Sequence, residues 1–66
     1  MTPEELETSA RSLSGGYLVQ TQGHRAAETY LAAARAYRDR GDFQDPYRAL
    51  RCSERARWCD AQEASQ

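Results

Sequence analysis

Three arginines recur along one strip of the C-terminal third of the chain: Arg48, Arg51 and Arg55. Guanidinium groups form forked hydrogen bonds with carboxylate and phosphate groups, so this spacing indicates a surface for an acidic partner. Acidic residues also occur nearby, namely Asp45, Glu54 and the glutamates of the N-terminal segment. A solvated face whose charges are offset by these acids is therefore the alternative interpretation of the strip.

The same strip, extended by Arg35 and Arg38, supports an alternative function as a small nucleic-acid-binding protein. All nine basic residues of the chain are arginine, yet the formal net charge is −1. Proteins that bind nucleic acid usually carry a strongly basic surface. The charge balance therefore favours a protein partner over a nucleic acid.

No residues have the spacing of a catalytic or metal centre. Cys52 and Cys59 lie seven residues apart, about 10.5 Å on one helix, which exceeds the ~7 Å that a disulfide can span. They do not form a C-x-x-C pair, and the single histidine, His24, does not complete a metal site. No glycine-rich phosphate loop or nucleophile–base pair is visible. We expect two buried free thiols, no cofactor and no enzymatic activity.

The tripeptide Arg40-Gly41-Asp42 matches a known cell-adhesion signal, but its position predicts a structural role. Gly41 follows the last residue of a helical repeat, where helices end with a glycine in the left-handed conformation. Asp45-Pro46 then has the signature of an N-cap followed by proline in the first helical position. The segment is therefore expected to be the turn between two antiparallel helices.

The hydrophobic pattern predicts three helices, over residues 3–14, 17–40 and 46–62. Thr2 and Glu5 have the capping-box signature at the start of the first. The start of the second helix is the least regular part of the pattern, since Gly23 costs a helix about 1 kcal/mol. The chain is thus expected to be a single all-α domain, a helical hairpin or three-helix bundle over residues 1–66, with a polar tail that frays from about residue 61.

The third predicted helix is apolar on two sides. Its small side, expected to pack on Tyr30 and Tyr37 of the second helix, comprises Ala49, Cys52, Ala56 and Cys59. Its large side carries Tyr47, Leu50 and Trp58, and Tyr and Trp are enriched at the centres of protein interfaces. This side meets either the first helix, as core, or another protein.

A 66-residue chain has little apolar material for a core. Only 39% of its residues are hydrophobic, with one Phe and one Trp, and a chain of this size buries only about 60% of its unfolded surface. Association would supply the missing burial. We therefore expect a homodimer formed through the third helix.

Two families are similar to parts of this sequence. The stretch from Ala27 to Trp58 resembles one tetratricopeptide repeat, although Pro46 stands where that motif has a small residue; the matching positions are Tyr30, Ala33-Ala34, Tyr37, Gly41-Asp42-Phe43, Leu50 and Ser53. One repeat implies a helical hairpin that contacts proteins, not a solenoid. The turn "RG" followed by "QDPYRAL" also resembles that of small co-chaperones of type III secretion needle subunits. That resemblance implies a bacterial partner-binding role, whereas the polar end "CDAQEASQ" departs from the family.

The sequence thus predicts a small non-enzymatic protein–protein interaction module, such as an adaptor, co-chaperone or inhibitor of a bacterial or phage system. Its expected partner-binding residues are Tyr47, Leu50, Trp58, Arg48, Arg51 and Arg55. The N-terminus "MTPEELETSA" has neither the basic region nor the apolar core of a secretory signal, and no apolar run approaches the ~20 residues of a membrane span. A cytoplasmic location without membrane contact is the corresponding expectation.

Overall fold

The computed structural model describes residues 1–66 and contains three helices and no strand. They are α1 (Pro3–Leu13), α2 (Leu18–Arg40) and α3 (Asp45–Ala64). α2 is the central element, because both α1 and α3 pack against it. Its 23 residues extend about 35 Å, which accounts for most of the molecule's 37 Å long axis. The expected all-α architecture is confirmed.

The first helix begins with the expected capping box. The Thr2 side chain accepts a hydrogen bond from the Glu5 amide at 3.1 Å, and the Glu5 carboxylate accepts one from the Thr2 amide at 3.0 Å. The helix ends one residue earlier than expected, at Leu13, where the Ser14 amide donates to the carbonyls of Ala10 and Arg11. Backbone groups at both ends of α1 therefore form hydrogen bonds with residues close in the sequence.

The start of α2 is helical but kinked. Gln22 has φ −116° and ψ 15°, outside helical values, and the next residue, Gly23, lies directly against α3. A Cβ atom at this position would collide with the backbone carbonyl of Cys59 and the Cβ of Glu63. Gly23 therefore allows two backbones to approach closely, a role that outweighs its cost to the helix.

The connection between α2 and α3 contains the expected left-handed glycine, but Asp45 does not act as the expected N-cap of α3. Gly41 has φ 69°, and its amide donates to the Tyr37 carbonyl at 3.0 Å. The prediction of Asp45 as the N-cap is wrong, since Asp45 is already the first residue of α3 and its side chain is buried. Its carboxylate instead accepts the Asp42 amide at 3.0 Å and the side chain of Arg40. An ion pair between Arg40 and the buried carboxylate of Asp45, not a helix cap, fixes this turn.

The core lies between the large residues of α2 and the small side of α3, as expected. Tyr30 and Tyr37 are buried against a flat surface of alanines and cysteines, whose members are Ala49, Cys52, Ala56 and Cys59. Both cysteines are free, and burial raises the pKa of the Cys52 thiol to about 11. Leu6 and Leu13 of α1 cover the same core from one side.

The C-terminal tail is helical beyond residue 61, the point from which fraying is expected. The helix α3 continues to Ala64 because Glu63 and Asp60 bind one residue of α2. Glu63 accepts the His24 amide at 3.0 Å and lies 3.2 Å from His24 Nε2, while Asp60 lies 2.7 Å from His24 Nδ1. His24, to which the sequence assigned no role, thereby holds the end of α3. None of the three helices has both the length and the apolar character needed to cross a bilayer.

Candidate functional site

Three large apolar side chains remain uncovered on the side of α3 that faces away from α2. We call Tyr47, Leu50 and Trp58 the outer face; their exposed fractions are 62%, 57% and 39%. The first helix packs on α2 and leaves this face open. Of the two alternatives left by the sequence, the monomer therefore does not use these residues as its buried core.

The arginine strip beside the outer face is only partly neutralised. Arg48 donates to Asp45 at 3.1 Å, and Arg51 donates to Glu7 of α1 at 2.9 Å. Asp45 and Glu7 were both among the acids expected to offset the strip, whereas Glu54, the acid expected beside Arg51, is not its partner. Arg55 forms no ion pair.

Cation–π contacts link the strip to the aromatic residues of the outer face. The guanidinium of Arg55 lies 4.4 Å from the centre of the Trp58 ring, and that of Arg51 lies 5.9 Å from the Tyr47 ring. Such contacts contribute about 0.5–1 kcal/mol at exposed positions. They restrict the orientations of these large side chains, and preorganisation of this kind lowers the entropy that a side chain loses on binding.

Glu7 connects all three helices. Its carboxylate accepts the Tyr37 hydroxyl at 2.7 Å through one oxygen and Arg51 at 2.9 Å through the other. Burial disfavours its ionised form, yet these hydrogen bonds outweigh that cost and hold the pKa of Glu7 below its ordinary value. Burial and the same hydrogen bond raise the pKa of Tyr37 to about 12. Glu7 is among the N-terminal glutamates expected to offset the arginine strip, but the sequence did not predict its hydrogen bond with Tyr37. The buried positions at this end of the chain follow the 4-3-4 spacing of a helical seam; they are Pro3, Glu7, Ala10 and Ser14.

A cleft of about 220 Å³ opens between α1 and α3 beside Glu7. Its lining is mostly charged and consists of Glu7, Arg11, Tyr30, Arg51, Cys52 and Arg55. The Cys52 thiol, with its raised pKa of about 11, is protonated near neutral pH and is a poor nucleophile in that state. The chemistry that this arrangement supports is the binding of an anion by guanidinium groups.

The adhesion-like tripeptide is part of an electrostatic network around the buried carboxylate of Asp45. Arg40 forms two hydrogen bonds with Asp45, at 2.8 and 2.9 Å, and two with Glu4, at 3.0 and 2.8 Å. This contact with Arg40 holds the pKa of Asp45 well below its usual range. The guanidinium thus joins the start of α1 to the start of α3, which agrees with the structural role expected for this turn.

Comparison of the chain with protein-family models, with curated proteins and with solved structures found no match. The resemblances to a tetratricopeptide repeat and to type III secretion co-chaperones stay predictions.

Proposed function

We propose that this protein is a small non-enzymatic protein–protein interaction module that associates with a second copy of itself through the outer face of α3. The observation that supports this proposal is the exposure of Tyr47, Leu50 and Trp58, at 62%, 57% and 39%, on a single helix. Three large apolar side chains on one face of a small domain are typical of an interaction surface.

The outer face is compatible with a two-fold symmetric partner. Tyr47, Arg51, Glu54 and Trp58 follow steps of four, three and four residues, the spacing of a coiled-coil seam. When two such helices pair antiparallel about an axis between residues 52 and 53, Tyr47 meets Trp58 of the partner subunit. The same register sets Arg51 against Glu54 of the partner subunit. One surface therefore supplies both members of each pair, as a two-fold interface requires.

Trp58 is the outer-face residue whose truncation tests such an interface, because Trp is among the residue types enriched at interface hot spots. Full burial of an exposed large apolar side chain contributes about 1.5–3 kcal/mol, and Trp58, which is 39% exposed, gains only the part of this that corresponds to its exposed area. The Arg55 contact already orients the indole ring. Truncation of an interface anchor typically costs about 2 kcal/mol or more. Since about 1.4 kcal/mol corresponds to a tenfold change in affinity, Trp58→Ala should weaken association at least ~30-fold.

Sedimentation equilibrium on the wild type and two variants tests the proposal. The wild type should show a concentration-dependent dimer, and Trp58→Ala should be monomeric over the same range while circular dichroism shows its helices intact. Leu31→Ala is the matched control, because Leu31 is also apolar and 48% exposed but lies on α2. A wild type that stays monomeric at high micromolar concentration would contradict self-association.

Within this proposal the dimer acts as an adaptor, co-chaperone or inhibitor in a bacterial or phage system, and its arginine strip faces an acidic surface of a further protein. The support is that Arg55, which borders the outer face, has no acidic partner of its own. Affinity capture from the native host with wild type and Arg55→Gln, followed by mass spectrometry, identifies partners that depend on the strip. A set of captured proteins that is identical for both baits would exclude a role for Arg55.

A further inference from the structure

The cleft between α1 and α3 contains more positive than negative charge. Arg11, Arg51 and Arg55 line it, and Glu7 is the only carboxylate among its lining residues. Three guanidinium groups thus face one carboxylate, and two positive charges remain uncompensated. Guanidinium groups are not deprotonated in proteins, so this excess persists at every physiological pH.

The hydrogen-bonding capacity of these arginines is largely unused. Arg51 donates one nitrogen to Glu7 at 2.9 Å, whereas Arg11 approaches Glu7 only to 3.6 Å and Arg55 has no acidic partner. Each guanidinium carries five N–H donors, so most of them remain available to a ligand. The remaining lining residues, Tyr30 and Cys52, add no carboxylate to the cleft.

We infer that this cleft binds a phosphate group in its doubly charged form. A dianion matches the two uncompensated positive charges, whereas a carboxylate would leave one of them unpaired. Guanidinium forks also fit the oxygens of phosphate with paired hydrogen bonds. The volume of about 220 Å³ is below the range of about 300–1,000 Å³ of drug-sized pockets. The ligand is therefore a phosphate group itself, either free inorganic phosphate or the head of a small phosphomonoester.

A titration with inorganic phosphate at pH 7.5, followed by ¹H–¹⁵N NMR of the arginine Nε–Hε groups, tests this site. Ionic strength is held constant with chloride, because nonspecific attraction to a basic surface is screened by salt. The wild type should show saturable shifts at Arg11, Arg51 and Arg55 with a dissociation constant of about 1 mM. O-phosphoserine forms the second arm, and the ratio of its affinity to that of inorganic phosphate identifies which source the cleft prefers.

Two variants and a matched control decide the outcome. Arg55→Gln and Arg11→Gln should each weaken binding about 5- to 10-fold, since each removes a charge-assisted contact. Arg57→Gln should leave the affinity unchanged, because Arg57 is exposed on the same helix but lies outside the cleft. Equal losses in all three variants, or phosphate shifts that do not saturate, would overturn the inference.

The inference does not depend on the proposed dimer. Leu50→Ala removes part of the outer face without altering any residue of the cleft. This variant should lose self-association and retain wild-type affinity for phosphate. The experiments can therefore contradict the proposed dimer without contradicting the phosphate site, and the reverse.

Discussion

At the residue scale, the carboxylate of Glu7 has the largest structural role of any acidic group in α1. It lies in α1, accepts a hydrogen bond from Tyr37 in α2 and pairs with Arg51 in α3. Breaking one partner of a buried polar group leaves the other unsatisfied, which costs more than the bond itself contributes. Glu7 and its partners therefore determine how α1 sits on the other two helices.

Removal of the Tyr37 hydroxyl tests this role. Tyr37→Phe should lower the free energy of unfolding by about 1–2 kcal/mol, because one oxygen of Glu7 loses its donor while its burial persists. Tyr30→Phe is the control, because Tyr30 is also a buried tyrosine of α2 but does not donate to Glu7. It lines the cleft, and no buried side-chain polar atom of the protein lacks a hydrogen-bond partner. Urea denaturation of both variants measures the difference. An equal effect of the two substitutions would mean that the hydrogen bond to Glu7 adds no stability.

The sequence predicted apolar positions more reliably than polar ones. The packing of Tyr30 and Tyr37 on the small side of α3 follows from side-chain size and helical spacing, which are local properties. The roles of Glu7, His24 and Asp45 depend on which helices become neighbours, and the chain separates Glu7 from Arg51 by 44 residues. Residue type alone does not specify such pairs, so Asp45 appeared to be a cap and His24 had no assigned function.

At the scale of elements, α2 and α3 approach each other closely at Gly23. An alanine in a helix is ordinarily more favourable than glycine by about 1 kcal/mol. Here the added Cβ would meet the carbonyl of Cys59, which is backbone and cannot rotate away. Helix propensity therefore favours alanine at position 23, whereas close packing against α3 requires glycine. The packing requirement determines the residue.

Gly23→Ala should destabilise the protein by about 1–3 kcal/mol, the typical cost of overpacking. Gly15→Ala is the matched control, because the nearest atoms to an added Cβ at that position are carbonyl oxygens at 3.8 Å. Thermal unfolding followed by circular dichroism compares the two. If Gly23→Ala matched or exceeded the wild type in stability, the close approach of α2 and α3 would be incorrect.

The end of α3 depends on the charge of His24. Both ring nitrogens lie near carboxylates, Nδ1 at 2.7 Å from Asp60 and Nε2 at 3.2 Å from Glu63, and only the protonated ring donates from both. The hydrogen bond to Asp60 and the negative charges of Glu63 and Asp60 outweigh a smaller desolvation effect and raise the pKa of His24 above its ordinary value. A raised pKa stabilises the folded state below the unfolded-state pKa of about 6.5, and this stabilisation is lost as pH rises through the higher folded-state pKa.

Hydrogen exchange measures this pH dependence at the end of α3. After correction for intrinsic exchange rates, the amides of residues 62–64 should be better protected at pH 6 than at pH 9. His24→Gln should abolish most of the difference, since a glutamine side chain does not titrate. Protection of these amides that stays constant with pH in the wild type would show that the ion pairs do not hold the helix end.

At the scale of the whole molecule, ion pairs of acidic residues join α1 to the rest of the protein. Glu4 binds Arg40 and Glu7 binds Arg51, and Arg40 also binds Asp45. The pKa of each of these carboxyls is lowered: that of Glu4 mainly by Arg40, that of Asp45 mainly by Arg40, and that of Glu7 by Tyr37 and Arg51 against the opposing effect of burial. A lowered pKa stabilises the fold above the unfolded-state value, about 4, and this stability is lost as pH falls through the folded-state value.

We therefore expect acid to release α1 before it unfolds the α2–α3 hairpin. The midpoint of thermal unfolding should fall by roughly 10 °C or more between pH 6 and pH 3. Amides of residues 6–13 should lose protection at a higher pH than those of residues 26–37. Simultaneous loss of protection in both segments would indicate that the three helices unfold as one cooperative unit.

Chemical labelling of the two buried cysteines can detect the opening of this protein. A thiol reacts with alkylating or disulfide reagents as its thiolate, and burial raises the pKa of both Cys52 and Cys59. Cys52 lines the cleft beneath α1, whereas Cys59 is fully buried and its thiol lies beside Ser14 at the end of α1. The labelling rates of the two sulfurs consequently measure how often the core opens, with the protein's own side chains as the reporters.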